Sequence, residues 1–350
     1  MMKISVHLVT WNGEKYIPLL FDSLKKQTFK DWKLVILDNA STDNTVEKIK
    51  IELQDFPFKH ELIINSENKG FAGGHTQLYE NCEGDYFLII NQDLYLNSDC
   101  IEKMVGFMDG HQEVAALAPR TMKWDYESLA HKSATTNIHE SIEKSFTDQI
   151  DSLGLRVLRN RRVIELHTGE LWSTCKLAHL QTCALNVFGV SGAIVLFRKK
   201  GIDEIGFLDE SFQSYKEDVD LAFRLNSAGW KSVVLYDAIA YHDRSAAGPK
   251  NLSDMTAIEN KKKQSEWVKY HSYKNHLMTL YKNEYWQNFL LDLPWILWYE
   301  FKKLVYFILF DRKVLKGLGE IWRMRKELRD RRYEIRDKRK IGWMEMREKL

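Results

Sequence analysis

No stretch of this sequence reaches the roughly 18 uninterrupted apolar residues of an ordinary membrane-spanning helix. The apolar run at Met1–Val9 is too short for a signal peptide and reads as a first strand. The four cysteines, Cys82, Cys100, Cys175 and Cys183, include no Cys-x-x-Cys pair. Reduced, structural thiols in a cytosolic protein are the expectation. Phosphate-loop signatures are missing as well: the glycines of Gly70-Phe71-Ala72-Gly73-Gly74 follow neither Gly-x-Gly-x-x-Gly nor a Walker loop. Charge of one sign is scarce overall, with a formal net of +2, until the chain is divided. Residues 311–350 hold 15 Lys+Arg against 8 Asp+Glu, whereas the rest of the chain holds 36 against 41. The basic character is therefore a property of the tail and points to an anionic surface. No nucleic-acid recognition module accompanies it, so nucleic acid is not expected as a partner.

What is present is a folded protein. With 350 residues, 44% hydrophobic and 29% charged, the chain can bury a large core, and a catalytic domain with a helical extension is the natural organisation. A β-branched strand at 3–10, a helix from Tyr16 to Lys26 and a strand at Lys33–Leu37 make a βαβ unit, which implies parallel strands. Ligands of such sheets bind at the strand carboxyl ends. Those ends carry Thr10-Trp11-Asn12-Gly13 and Asp38-Asn39-Ala40-Ser41-Thr42-Asp43. Ser41 or Asp43 can cap a helix from Thr45 to Leu53, whereas Asp38 at a strand tip can accept a hydrogen bond from a base edge. A third strand, Glu61–Ile64, leads to Asn68-Lys69-Gly70, where glycines either admit a ligand to the backbone or simply make a turn. A fourth strand, Tyr86–Ile90, is continuously apolar and so central. It ends in Asn91-Gln92-Asp93, where a carboxylate can hold a divalent metal against a diphosphate; a plain turn accounts for the same residues equally well.

Residues 122–186 lose this patterning and read as a variable insertion, with no chemistry assigned to His131, His139, His167 or His179. Order returns with a strand at Val187–Phe197 that carries Gly189 and Gly192. Lys216-Glu217-Asp218-Val219-Asp220 then precedes a helix at Phe223–Ala228, a strand at Ser232–Leu235, and Tyr241-His242-Asp243-Arg244. Adjacent carboxylates at a strand-to-helix turn can divide labour, one orienting hydroxyls and the other accepting a proton as general base. Asp220 reads equally well as an acidic residue at a helix start.

Taken in register, these motifs resemble the family 2 glycosyltransferases with the glycosyltransferase-A fold, closest to the bacterial rhamnosyltransferase-like branch. The likeness covers roughly residues 3–250. It implies an α/β fold with a mostly parallel central sheet flanked by helices, a catalytic domain at 1–255 and a helical extension at 256–350. It also implies site roles. Thr10, Trp11, Asn12 and Asp38 would hold the base and ribose, and Asn68, Lys69, Gly70, Gly74, Asn91, Gln92, Gly192 and Arg244 would complete the nucleotide-sugar site. Asp93 and His242 would bind Mg²⁺ or Mn²⁺, Asp218 would be the base, and Glu217 would orient hydroxyls. Arg244 and Lys250, on the loop containing Gly248, could close over the phosphates. Asn91 departs from the family's Asp-x-Asp motif and removes one charge. The implied function is inverting transfer, with L-rhamnose from dTDP-rhamnose as the donor reading and UDP-galactofuranose or a UDP-hexosamine as alternatives. A saccharide acceptor, lipid-linked, is implied; a degenerate sugar-nucleotide-binding scaffold is the non-enzyme alternative.

Beyond residue 260 the sequence is helical. Trp286–Phe310 is dense in aromatics but interrupted by Asp292, Glu300, Lys302 and Lys303, which suits a helix lying in a bilayer interface better than one crossing it. Burial on the catalytic domain or in a homo-oligomer explains the same aromatics. The tail Arg323–Lys349 reads as a charged helix able to reach acidic headgroups. The expected location is cytoplasmic, peripheral at the inner face of the membrane.

Overall fold

The computed structural model describes residues 2–132, 138–179, 183–244, 261–262 and 264–350, without the side chains of 130–141 and 179. The side chains of His131, His139 and His179, and the loop residues Gly248 and Lys250, fall outside the described residues. Twelve strands are described: β1 (Ile4–Thr10), β2 (Trp32–Asp38), β3 (Lys59–Ile64), β4 (Tyr86–Ile90), β5 (Leu94–Leu96), β6 (Val114–Trp124), β7 (Phe146–Ser152), β8 (Leu155–Val157), β9 (Val163–Glu165), β10 (Ala184–Val187), β11 (Ile194–Arg198) and β12 (Lys231–His242). Ten form one sheet in the order β10-β12-β6-β11-β4-β1-β2-β3, with β7 added to β6 and β5 to β12. The half made by β3, β2, β1 and β4 is parallel; β11 runs antiparallel to both β4 and β6. The fold is mixed α/β with a large sheet flanked by helices, as expected.

Alternation along the strands decides what packs on each face. Ile4, Val6 and Leu8 meet Ile17, Leu20, Phe21, Met104 and Met108 of two covering helices. On the opposite face, Phe87, Ile89, Val195 and Phe197 meet Ala72, Ile202, Leu221 and Leu225. The helix Ile17–Lys25 starts with Pro18 in its first turn, where the missing N–H costs nothing.

This second face also buries two histidines. His7 gives one ring nitrogen to Ser5 at 2.9 Å, but its Nδ1 and the Nδ1 of His75 have no partner. Burial drives both far down, to about 3, with Lys33 adding to the effect on His7 and His7 to that on His75. A group whose folded pKa is depressed stabilises above its unfolded value near 6.5 and loses that contribution as pH falls below it. Relative to wild type, His75→Leu should therefore gain about 1.4 kcal/mol between pH 7.5 and pH 5.5, read from urea midpoints at each pH. A difference that does not move with pH would show that His75 is not held neutral.

Several expectations change. The strand expected at 187–197 is two, β10 and β11, because the chain between them crosses the helix Glu217–Ser227 at close range. A Cβ on Gly189 would lie 2.4 Å from Ala222 Cβ. That helix begins at Glu217, not Phe223, so all three carboxylates stand in its first turn. β12 continues to His242, with an irregularity between Leu235 and Ile239. The insertion is not a separate excursion: β7 joins the main sheet beside β6.

Trp286–Phe310 is one helix of 25 residues with Pro294 inside it. Its buried side is Asn288, Asp292, Ile296, Lys303 and Phe307, a helical stripe. Asp292 accepts from Arg159 at 2.6 Å, Arg161 at 3.0 Å and Arg347 at 3.1 Å. Asp292, Glu300 and Lys303, which break up the apolar sequence, thus face inward, and the solvent face stays apolar. The tail is not a single projecting helix. It breaks into Lys316–Arg323, Arg325–Asp337 and Trp343–Glu348, and folds back until Lys340 N–H donates to Ser227 O at 2.8 Å. Among the described residues no helix is long and apolar enough to cross a membrane.

Candidate active site

The carboxyl ends of β1, β4 and β12 open on a cleft of about 910 Å³. Thr10, Trp11, Asn68, Gly70, Asn91, Gln92, Asp93, Gly192, Glu217, Asp218, His242 and Arg244 all line it. Four other expected site residues sit elsewhere. Asp38 is fully buried, and its carboxylate accepts from Thr10 Oγ1 at 3.0 Å, Ser41 N at 2.9 Å and Ser41 Oγ at 2.6 Å. It fastens the β1 and β2 ends together instead of presenting an oxygen to the cleft. Asn12, at φ 47°, accepts from Thr42 N at 2.8 Å and belongs to the same fastening. Lys69 opens the helix Gly70–Glu80, and its N–H donates to Asn39 Oδ1 at 3.0 Å. Gly74 is a packing glycine, because a Cβ there would lie 2.9 Å from Val9.

Trp11 forms one wall, 53% exposed. Its backbone is gripped by the Gln92 amide, which accepts from Trp11 N at 3.0 Å and donates to Trp11 O at 3.1 Å. Gly13 makes room for that grip: a Cβ there would overlap Gln92 Oε1 at 2.2 Å.

On the floor, Asp93 Oδ1 is 3.3 Å from His242 Nε2, and His242 Nδ1 is 2.9 Å from Asp151 Oδ2. Burial alone would lower His242, but the carboxylates of Asp93 and Asp151 outweigh it and lift the imidazole to about 10. Arg244 reaches Glu165 at 2.5 Å and Asp151 at 3.3 Å. Asp151 and Glu165 belong to the insertion to which no chemistry was assigned. They lie in β7 and β9, in a segment without apolar periodicity, and no signal in the sequence pairs them with His242 and Arg244. His167, in the same insertion, pairs with Glu170 at 3.0 Å.

The facing pair Asp93 and His242 suits a divalent cation. Asp151 can accept a hydrogen bond from a retained Nδ1–H, so that the Nε2 proton is the one a metal would displace, the usual support of a histidine ligand, and Asp93 and Asn91 would supply oxygen donors beside it.

Opposite stands the acidic turn. Gln213, Tyr215 and Lys216 all have left-handed backbone, with φ of 59°, 69° and 73°. Each such non-glycine residue costs on the order of 1 kcal/mol unless its surroundings enforce it. The enforcement comes from helix Glu266–Asn283: Asn275 Nδ2 donates to the carbonyls of Phe212, Ser214 and Tyr215 at 2.9, 2.9 and 2.7 Å. The turn delivers Glu217 and Asp218 to the cleft. Burial, with the neighbouring Asp218 adding repulsion, pushes Glu217 up to about 8, and its Oε2 has no partner. Neutral at pH 7, Glu217 can donate a hydrogen bond as well as accept one. Asp220 faces away, bound by Arg224 at 2.9 Å, Lys282 at 2.9 Å and Asn283 at 2.7 Å, and is structural.

A two-carboxylate turn facing a metal-type pair across the ends of such a sheet is the arrangement of a nucleotide-sugar-dependent transferase of the glycosyltransferase-A type. The model of glycosyl transferase family 2 matches residues 5–206, and that of glycosyl transferase family group 2 matches 152–310. The chain belongs to glycosyl transferase family 2. It is 24% identical over 287 residues to the uncharacterized glycosyltransferase YfnE of Bacillus subtilis, covering 73% of this chain and 68% of that one. It is also 24% identical over 250 residues to the O-antigen chain rhamnosyltransferase RfbN of Salmonella typhimurium, covering 70% and 67%. Its likeness to the poly(ribitol-phosphate) β-N-acetylglucosaminyltransferase TarS of Staphylococcus aureus is 32% over 114 residues, 32% of this chain and a fifth of that protein. Among solved structures, the mannosyltransferase PcManGT from Pyrobaculum calidifontis, in complex with GDP-Man and Mn²⁺, superposes with a TM-score of 0.51 at 14% identity, over 91% of this chain and 73% of that one. At that identity the likeness concerns the fold.

Proposed function

We propose that this chain is an inverting glycosyltransferase of bacterial surface-polysaccharide synthesis, moving a hexose from a nucleotide diphosphate sugar to a saccharide hydroxyl. The observation that carries this reading is the placement of Asp218 and Glu217 across one cleft from Asp93 and His242. Asp218 removes the acceptor hydroxyl proton as the new bond forms, a contribution of about 10²–10⁴-fold. Neutral Glu217 orients a sugar hydroxyl beside it. Trp11 stacks on the base, and Arg244 faces the diphosphate. Asp93 and His242 would hold Mg²⁺ or Mn²⁺, which would supply charge neutralisation for the nucleotide diphosphate leaving group. One base and in-line attack invert the anomeric centre. In this reading residues 1–255 supply the donor site and base, and 256–350 supply the helical support.

L-Rhamnose from dTDP-rhamnose is the donor reading, supported by the similarity to RfbN. A UDP-hexosamine is the second reading, favoured by the local similarity to TarS. Thermal-shift titration with dTDP-, UDP- and GDP-sugars, with and without Mn²⁺, decides between them. A metal-dependent rise is expected for one donor class, and silence from every donor would favour the scaffold alternative.

We also place the chain at a membrane surface, with a lipid-linked acceptor. Of the exposed large hydrophobic side chains, twelve lie between Trp286 and Trp322, including Leu290, Trp295, Trp298, Phe301 and Phe310. Tryptophan in number with cations such as Arg312, Lys313 and Lys316 nearby suits the headgroup boundary. Deleting the helix would break the buried Asp292 pairs, so substitution is the better test. Trp298→Glu with Phe301→Glu should cut binding to vesicles of phosphatidylcholine with 30% phosphatidylglycerol at least about tenfold. Undiminished binding in sedimentation would refute the placement.

A further inference from the structure

The guanidinium of Arg244 is held by three side chains. Glu165 Oε1 accepts from its Nη1 at 2.5 Å, Asp151 Oδ1 lies 3.3 Å from its Nε, and its Nη2 donates to Ser191 Oγ at 3.4 Å. Asp151 is shared, because its other oxygen is 2.9 Å from His242 Nδ1. Glu165 is not shared: Arg244 is its only ion-pair partner among the described residues, and its Oε2 is buried without a hydrogen bond. An oxygen closed off in this way does not receive a ligand hydroxyl. Nor is the pair a ready source of stability, since desolvating two charges costs about what their attraction returns. What the pair does is fix an arginine. A guanidinium has five N–H donors in one plane, so three holds do not exhaust it for a ligand in the cleft that Arg244 lines.

Glu165 is itself placed by a brace. It ends β9, which pairs with β8 in the register Leu155↔Glu165, Arg156↔Ile164 and Val157↔Val163. A two-stranded ribbon is marginal alone, and this one is pinned at both ends. At its foot Leu155 N–H donates to Gly189 O at 2.7 Å, and Leu166 N–H to Gly154 O at 2.8 Å. At its tip Arg161 has left-handed backbone, φ 64°, and a buried side chain. That side chain gives Glu284 two bonds, at 2.8 and 2.9 Å, and Asp292 one at 3.0 Å. Between tip and foot, Leu155 and Val157 pack with Val219 and Phe223 of the helix that starts at Glu217. The ribbon therefore runs from the C-terminal helices to the cleft, with Glu165 at the cleft end.

We infer that Glu165 is a positioning residue for donor binding: carried by the braced β8–β9 ribbon, it fixes Arg244 in the orientation that receives the donor's diphosphate. The inference rests on the transferase reading, which supplies that diphosphate.

The test is calorimetry of the full chain with UDP, dTDP and GDP, each against its monophosphate and with Mn²⁺ present. Glu165→Gln keeps the side-chain volume and removes the charge. It should weaken the diphosphate that binds about tenfold and the matching monophosphate less than about threefold, because the charge-assisted bond that holds the arginine is lost. Positioning acts through another residue, so in an Arg244→Gln background the same substitution should change diphosphate affinity less than about twofold. Tighter binding by Glu165→Gln would overturn the inference and make Glu165 a competitor of the diphosphate for Arg244. Equal loss for monophosphate and diphosphate, or full additivity with Arg244→Gln, would overturn it as well. A wild-type chain that binds none of these nucleotides overturns the transferase reading and takes the inference with it. Wild-type binding with no loss in Glu165→Gln overturns the inference alone.

Discussion

On the proposed mechanism, Asp218→Asn should abolish sugar transfer, lowering kcat by about 10³-fold, while donor affinity should stay within a few-fold of wild type. The substitution keeps the shape of the side chain and its hydrogen bond to the backbone N–H of Val219, now 2.7 Å, so the helix start is preserved. It removes the only property that matters for an unactivated hydroxyl, the ability to accept a proton at neutral pH. Glu217 cannot substitute for it, because its burial keeps it protonated near pH 7. Donor affinity stays because Trp11, Gln92 and Asp93 are on the far wall. Measured kcat and donor Kd separate the outcomes: loss of donor binding would make Asp218 a donor contact, and retained transfer would place the base elsewhere.

Asn275→Ala should be nearly as damaging although Asn275 does not itself line the cleft and only holds residues that do. One amide holds three carbonyls of a turn with three left-handed residues. Losing it leaves buried acceptors unsatisfied, at about 1–3 kcal/mol, and lets the turn relax toward ordinary backbone geometry. Misplacing a base by about 1 Å can cost on the order of 10²-fold in rate. The expected signature is a kcat reduced about 10²-fold with donor Kd within about threefold, and a lowered unfolding temperature. A merely structural role would lower the unfolding temperature and leave kcat of the folded fraction intact.

How much of this was legible follows physical lines. Motifs at strand ends could be read because period-2 burial fixes the strand and the strand fixes where its last residue points. Asp93 could be placed at the end of its strand that way, whereas the roles read for Asp218 and His242 came from the resemblance to the family. Asp38 was placed correctly at its strand tip, but its direction depends on Thr10 and Ser41, partners that only the folded loop assembles. Asp151 and Glu165 were out of reach because their segment has neither apolar periodicity nor a motif, and sheet addition by β7 is a long-range event. Asn275 left a faint trace, an amide with poor helix propensity in the interior of a helix. Asp292, Glu300 and Lys303 were read as interruptions of an apolar face because the helical phase that turns them inward is set by Arg159, Arg161 and His276, far away in sequence.

The Asn275 grip also bears on when this protein can act. During synthesis the donor pocket and both acidic residues emerge well before the helix that carries Asn275. If Asp218 is the base, a nascent chain that has exposed residue 218 would own it without a fixed aim and would turn over sugar nucleotide on water or a stray hydroxyl only inefficiently. Competence arrives only when the later helices dock, the same helices that carry the greasy outer face. Activation and delivery to the place of work would then be a single folding event.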